Sequence, residues 1–103
     1  MSDKVVVIAR ITARPETTGQ VEAELRTLVD IAATEDGIVE YVLHREGDSG
    51  AFWFYELYLD QAAFDAHGRN PALAEAFGRF GSLMAEPPEL HILAPLQAKD
   101  MAL

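Results

Sequence analysis

Residues 52–59 read Phe-Trp-Phe-Tyr-Glu-Leu-Tyr-Leu. A run of aromatic residues at this density fits an extended strand. In a strand, alternate side chains face opposite ways. Phe52, Phe54, Glu56 and Tyr58 therefore share one face, and Trp53, Tyr55, Leu57 and Leu59 share the other. Neither face looks wet, whereas an antiparallel sheet commonly keeps one face in solvent. A chain carrying this strand needs apolar cover on both sides. Its own helices can cover one. A second copy, packed sheet to sheet with two-fold symmetry, is expected to cover the other. Burying each large side chain stabilises by roughly 1.5–3 kcal/mol before entropic costs. A homodimer is the expected assembly.

The rest of the chain supplies the covering helices. Val5-Val6-Val7-Ile8, extended through Thr12, is a β-branched strand stopped by Arg14-Pro15. Thr17 or Thr18 is placed to cap a helix, with Gln20 completing a capping box after Thr17. Val21, Leu25, Leu28 and Ile31 repeat at helical spacing, and Gly37 reads as the stop. Ile38–Arg45 is predicted as a strand by strict alternation, with Val39, Tyr41 and Leu43 on one side. Gly47-Asp48-Ser49-Gly50 is turn chemistry, so a hairpin to the strand Ala51–Leu59 follows. Asp60 caps a short helix through His67, and Asn70-Pro71 breaks and restarts it. Leu73, Phe77, Phe80 and Met84 form a further helical stripe, stopped by Pro87-Pro88. Gly78 and Gly81 within it are expected either to allow close packing or to leave room for a ligand. Leu90–Leu96 is a last strand with Pro95 near its end, and the tail 97–103 is expected to fray or to dock on a partner. The order β-α-β-β-α-β defines an α+β, ferredoxin-like plait with its helices on one face of an antiparallel sheet. A single domain is expected over residues 1–103, with its core at about 4–96.

Charge and composition narrow the function. The net charge is −9, which disfavours a phosphate backbone as partner, so nucleic-acid binding is not expected. The run Val5–Ala9 is too short for a signal-peptide core or a membrane span, so neither is expected. With no cysteine there is no disulfide, thiolate metal site or cysteine nucleophile. A soluble cytoplasmic protein is the expectation.

Two residues stand out chemically. Glu56 interrupts an aromatic strand, and a carboxylate buried there needs a raised pKa, a hydrogen-bonded partner or a wet cavity. It reads either as a group orienting a catalytic histidine or a substrate hydroxyl, or as a structural hydrogen bond. His67 suits proton abstraction near neutral pH, but also reads as an ordinary loop residue. Tyr41, Phe54, Tyr58, Phe64, Phe77, Phe80 and Met84 are candidates to line an apolar pocket, or simply make the core. His44 and His91 form no HxH, HxxxH or HExxH spacing, so no metal site is expected. No phosphate loop, dinucleotide fingerprint or serine elbow occurs.

Gly37-Ile38-Val39-Glu40-Tyr41-Val42-Leu43, then Tyr55-Glu56-Leu57-Tyr58, then His67 before Asn70-Pro71, resemble the antibiotic biosynthesis monooxygenase family. The resemblance runs from the opening strand to Leu96. It implies a dimeric α/β-barrel fold. For the best-known members it implies oxidation of quinols or polycyclic phenols by O2 with no metal, flavin or other prosthetic group. In that scheme a base removes a phenolic proton and the anion reduces O2. His67 matches the family's base and Glu56 the glutamate that orients or tunes it, with Tyr41 and Tyr58 in the pocket and Phe54, Phe64, Phe77 and Phe80 as lining. Ala72 stands where many members have a second histidine. A haem-degrading branch uses Asn, Trp and His where this chain has Ala9, Tyr58 and Phe77, so haem degradation is not expected. An isomerase branch acting on a phosphorylated dione shares Glu56-Leu57-Tyr58, His67 to Pro71 and Leu83-Met84, with Arg69 and Arg79 as candidate phosphate ligands. A non-enzymatic binding dimer is the third reading.

Overall fold

The computed structural model describes residues 2–103. Four antiparallel strands form one sheet: β1 (Val5–Thr12), β2 (Ile38–Arg45), β3 (Ala51–Tyr58) and β4 (Glu89–Leu93). Their spatial order is β2-β3-β1-β4, the ferredoxin-like arrangement. Three helices, α1 (Thr18–Ala32), α2 (Gln61–Gly68) and α3 (Pro71–Phe80), lie on one face. The β-branched β1 is central, pairing Val7 with Glu56 on one side and with Ile92 on the other.

The helix face carries the core. Val21, Leu25 and Leu28 of α1 pack on Ala9, Ile11, Phe52 and Phe54, with Ala76 and Phe80 of α3. Phe52, Phe54, Glu56 and Tyr58 are all buried on this side. On the outer face Leu57 is buried, while Trp53 and Tyr55 are half-buried.

Several local expectations change. No capping box forms at α1. Thr17 Oγ1 instead donates to the carbonyls of Arg14 and Leu83 at 2.9 and 3.0 Å, tying the helix start to the turn that follows α3. Gly37 does not stop α1, which ends at Ala32. It serves close packing: a Cβ at position 37 would lie 2.6 Å from Ala63 Cβ of α2. Strict alternation in β2 fails at a bulge between Ile38 and Glu40. The extra residue lets both Ile38 and Tyr41 face the helices, opposite Tyr58 and Glu56. α3 stops at Phe80, and a 3-10 turn, Gly81–Leu83, leads to Met84, which bridges Ala13. An added Cβ at Gly78 or Gly81 would meet nothing within 4 Å, so neither glycine serves close packing. β3 ends at Tyr58 rather than Leu59, and β4 at Leu93 rather than Leu96, because Pro95 has no N–H for the ladder. Most of the tail is exposed, with Met101 and Leu103 half-buried. It touches the outer face at one point, where the Tyr55 hydroxyl donates to Met101 Sδ at 3.4 Å.

The remaining punctuation falls where expected. Asp60 accepts from the Ala63 N–H at 2.8 Å and caps α2. Asn70 accepts from the Ala72 N–H at 3.0 Å, and Pro71 opens α3. Among the described residues no helix is long and apolar enough to cross a membrane.

Candidate active site

Between the sheet and the helices lies a cavity of about 400 Å³. Its floor is the helix face of β1 and β3: Val7, Ala9, Ile11, Phe54 and Glu56. Tyr41 of β2, opposite Glu56, joins this floor. α2 contributes Phe64 and His67, and α3 contributes Leu73 and Phe77. Pro88 and Leu90, both exposed, form the mouth. Ligand sites are mostly apolar with a few placed polar groups, and this one has that character. A larger open groove of about 520 Å³ runs between α1 and β2, but it holds neither Glu56 nor His67.

The polar groups gather at the buried end. His67 is only 5 % exposed, in the last turn of α2. Its Nδ1 lies 2.7 Å from Glu35 Oε2, on the connection between α1 and β2. Its ring sits between two tyrosines, 5.4 Å from Tyr41 and 5.6 Å from Tyr58 between ring centres. The Tyr58 hydroxyl donates to Glu56 Oε1 at 2.5 Å. Burial drives the Glu56 carboxyl above its ordinary value, with the Tyr58 hydrogen bond and the nearby His67 pulling the other way. Burial and the Glu56 charge push the Tyr41 and Tyr58 hydroxyls up as well, so both stay protonated and able to donate. Tyr58 spends its proton on Glu56. Tyr41 makes no side-chain hydrogen bond among the described residues and borders the cavity.

Raised carboxyl pKa values carry a stability consequence. A carboxyl held above its unfolded value near 4.5 favours folding most at pH below that value. That contribution is lost as pH rises through the folded value. Glu56→Gln keeps the shape and can still accept from Tyr58, yet never ionises. It is expected to raise Tm by on the order of 5 °C at about pH 8, with the gain vanishing near about pH 4. Thermal melts across pH check this. A gap that stays constant with pH would show that Glu56 titrates alike folded and unfolded.

The structure brings Tyr41, Phe54, Glu56, Phe64, His67 and Phe77 together around the cavity. Tyr58 lies behind Glu56 and does not line it. Phe80, the last residue of α3, is fully buried core, and Met84, past the 3-10 turn, packs against that core beside Ala13; neither lines the cavity. Glu56 does not hold the imidazole Nδ1, a place taken by Glu35. No sequence pattern singles out Glu35, because Thr34-Glu35-Asp36 is a short polar connection. The one hint is its place two residues before Gly37, where the chain meets α2. Among the described residues no three His, Asp or Glu side chains are grouped to hold a metal; His44 bonds the Trp53 carbonyl and His91 pairs with Glu89.

The model of the antibiotic biosynthesis monooxygenase family matches residues 4–79. The chain belongs to that family. A relative in Mycobacterium tuberculosis, Rv0793, provisionally named a monooxygenase, is 31% identical over 96 residues, covering 93% of this chain and 95% of its own. The solved structure of Rv0793 superposes with a TM-score of 0.86 at 30% identity, covering 92% of this chain and 97% of that one. SnoaB of Streptomyces nogalater, a cofactor-independent oxygenase solved as its N63A mutant, shares the fold with a TM-score of 0.82 at 19% identity, covering 97% and 100%. The region matched by the antibiotic biosynthesis monooxygenase family contains every cavity residue except Pro88 and Leu90 at the mouth.

Proposed function

We propose that this protein is a cofactor-independent monooxygenase that oxidises a quinol-like or phenolic aromatic with O2. The observation that carries the reading is His67. Its Nδ1 is taken by Glu35, which leaves Nε2 as the nitrogen free for a ligand at the buried end of an apolar cavity. A phenolic hydroxyl placed there meets a base within a site that favours flat apolar rings. The resulting phenolate gives one electron to O2, and the radical pair closes a C–O bond at a ring carbon bearing hydrogen. Loss of water from that hydroperoxide leaves a carbonyl, so one oxygen atom enters the product and the other leaves as water. Tyr41 donates to the substrate oxygen.

Oxygen uptake with a panel of hydroquinones and polycyclic phenols, run under ¹⁸O2, tests the reading. One labelled oxygen per product is the expected result. Uptake no faster than the uncatalysed background across the panel would overturn it. Nothing favours the isomerase reading: no Lys or Arg lines the cavity, Arg79 is paired with Glu24 at 3.0 Å, and Arg69 is exposed. A dimer without a ligand space required a filled interior, and the cavity is at odds with that.

The assembly we propose is a homodimer packed through the outer face. Val42 and Leu93 of this face are 41% and 48% exposed in the single chain. Light scattering is expected to give the mass of two chains, and Val42→Arg with Leu93→Arg to give the mass of one. An unmodified protein that runs as one chain at micromolar concentration removes the proposal.

A further inference from the structure

We propose that Glu35 is a positioning residue: it holds His67 as the Nδ1–H tautomer and so leaves Nε2 to take the substrate's proton. The inference rests on His67 as the base of the proposed reaction. A neutral imidazole has one donor nitrogen and one acceptor, and the partner of one nitrogen decides the state of the other. An ionised carboxylate only accepts. With Glu35 Oε2 at 2.7 Å from Nδ1, the proton belongs on Nδ1.

The pair is built rather than incidental. The His67 and Glu35 side chains are 7% and 17% exposed, so solvent competes little for either. The Glu35 backbone is held on both sides: its N–H donates to the Ala32 carbonyl at 3.0 Å, and its carbonyl accepts from the Ile38 N–H at 3.2 Å. Two residues on, Gly37 abuts Ala63, which stands one helical turn before His67 on α2. The Leu59 N–H also donates to the Gly37 carbonyl at 2.9 Å, just before α2 begins. One tight approach thus brings the connection that carries Glu35 against the helix that carries His67. Glu56 makes no hydrogen bond to the ring, and its Oε1 accepts from Tyr58 instead. The rings of Tyr41 and Tyr58 flank the imidazole and limit its rotation, so the carboxylate fixes the tautomer of a ring already held in place.

The test reads the tautomer directly. Two-bond ¹H–¹⁵N correlations on the labelled protein without substrate, at a pH where the ring is neutral, report which His67 nitrogen carries hydrogen. Nδ1–H is expected in the wild type. Glu35→Ala is expected to move the ring toward Nε2–H and to lower kcat about 10–100-fold with KM nearly unchanged. Glu35→Gln is isosteric and offers both donor and acceptor, so it is expected to populate both tautomers even if the alanine variant folds poorly. Glu35→Asp is expected to keep Nδ1–H and recover most of the turnover. A wild-type ring in the Nε2–H form, or an unchanged tautomer in both Glu35→Ala and Glu35→Gln, overturns the proposal. Failure of every quinol to turn over would count against the proposed function alone, because the resonance measurement needs no substrate.

Discussion

Replacing His67 by alanine is expected to slow oxygen uptake by about 10²–10⁴-fold and to lower the melting temperature by on the order of 5–10 °C. The size follows from the loss of general-base catalysis. The thermal cost follows from what is lost: the ring is buried between Tyr41 and Tyr58, and its removal leaves the Glu35 carboxylate without its partner. Stopped turnover at saturating quinol, compared with the wild type, is the measurement. The two outcomes to separate are lost chemistry and lost binding. Substrate affinity that is retained while kcat falls places the proton transfer at His67. Turnover unaffected by the substitution removes it from the mechanism.

The second large effect is expected at a residue that touches no ligand. Gly37→Ala places a methyl group 2.6 Å from Ala63 Cβ, closer than two carbon atoms can approach. Either α2 moves outward or the α1–β2 connection does. Overpacking of this kind costs about 1–3 kcal/mol, and each 1 kcal/mol lowers Tm by about 4–8 °C in a domain of this size. Activity is expected to fall beyond the loss of folded protein, because the shift pulls Glu35 away from His67. Gly78→Ala provides the contrast. Its Cβ meets nothing within 4 Å in the middle of α3, so the same methyl group is expected to stabilise by about 0.5–1 kcal/mol. Melting curves of the two variants that shift in the same direction would contradict this account of Gly37.

Much of the fold was legible because it rests on periodicity and punctuation. The two-faced β3, the helical stripe from Val21 to Leu28 and the caps at Asp60 and Asn70 are local signals. Of the site, Glu56 was visible because an acid inside an aromatic strand conflicts with its surroundings, and the resemblance brought His67 forward. The remainder depends on contacts between distant segments. The partner of His67 stands 32 positions away in a polar connection that carries no pattern. The β2 bulge puts Ile38 rather than Val39 on the helix face, without any glycine or proline to mark it. Phe80 and Met84 continue the stripe of α3 on paper, but the helix ends between them. Gly37 looked like a helix stop because glycine serves both backbone freedom and close approach, and one letter does not distinguish the two uses.

The sheet order also sets how the chain must fold. β1 is central, yet both of its partners come later: it pairs with β3 across α1 and β2, and Val6 meets Leu93 only after α3 is complete. Such pairings carry a loop-closure cost before they return any stabilisation, and they slow folding. Until β4 docks, the run Val5-Val6-Val7-Ile8 keeps an open edge of β-branched residues. That is the segment most exposed to misassociation during refolding, and dilution or a chaperone that shields it should raise the yield of native protein.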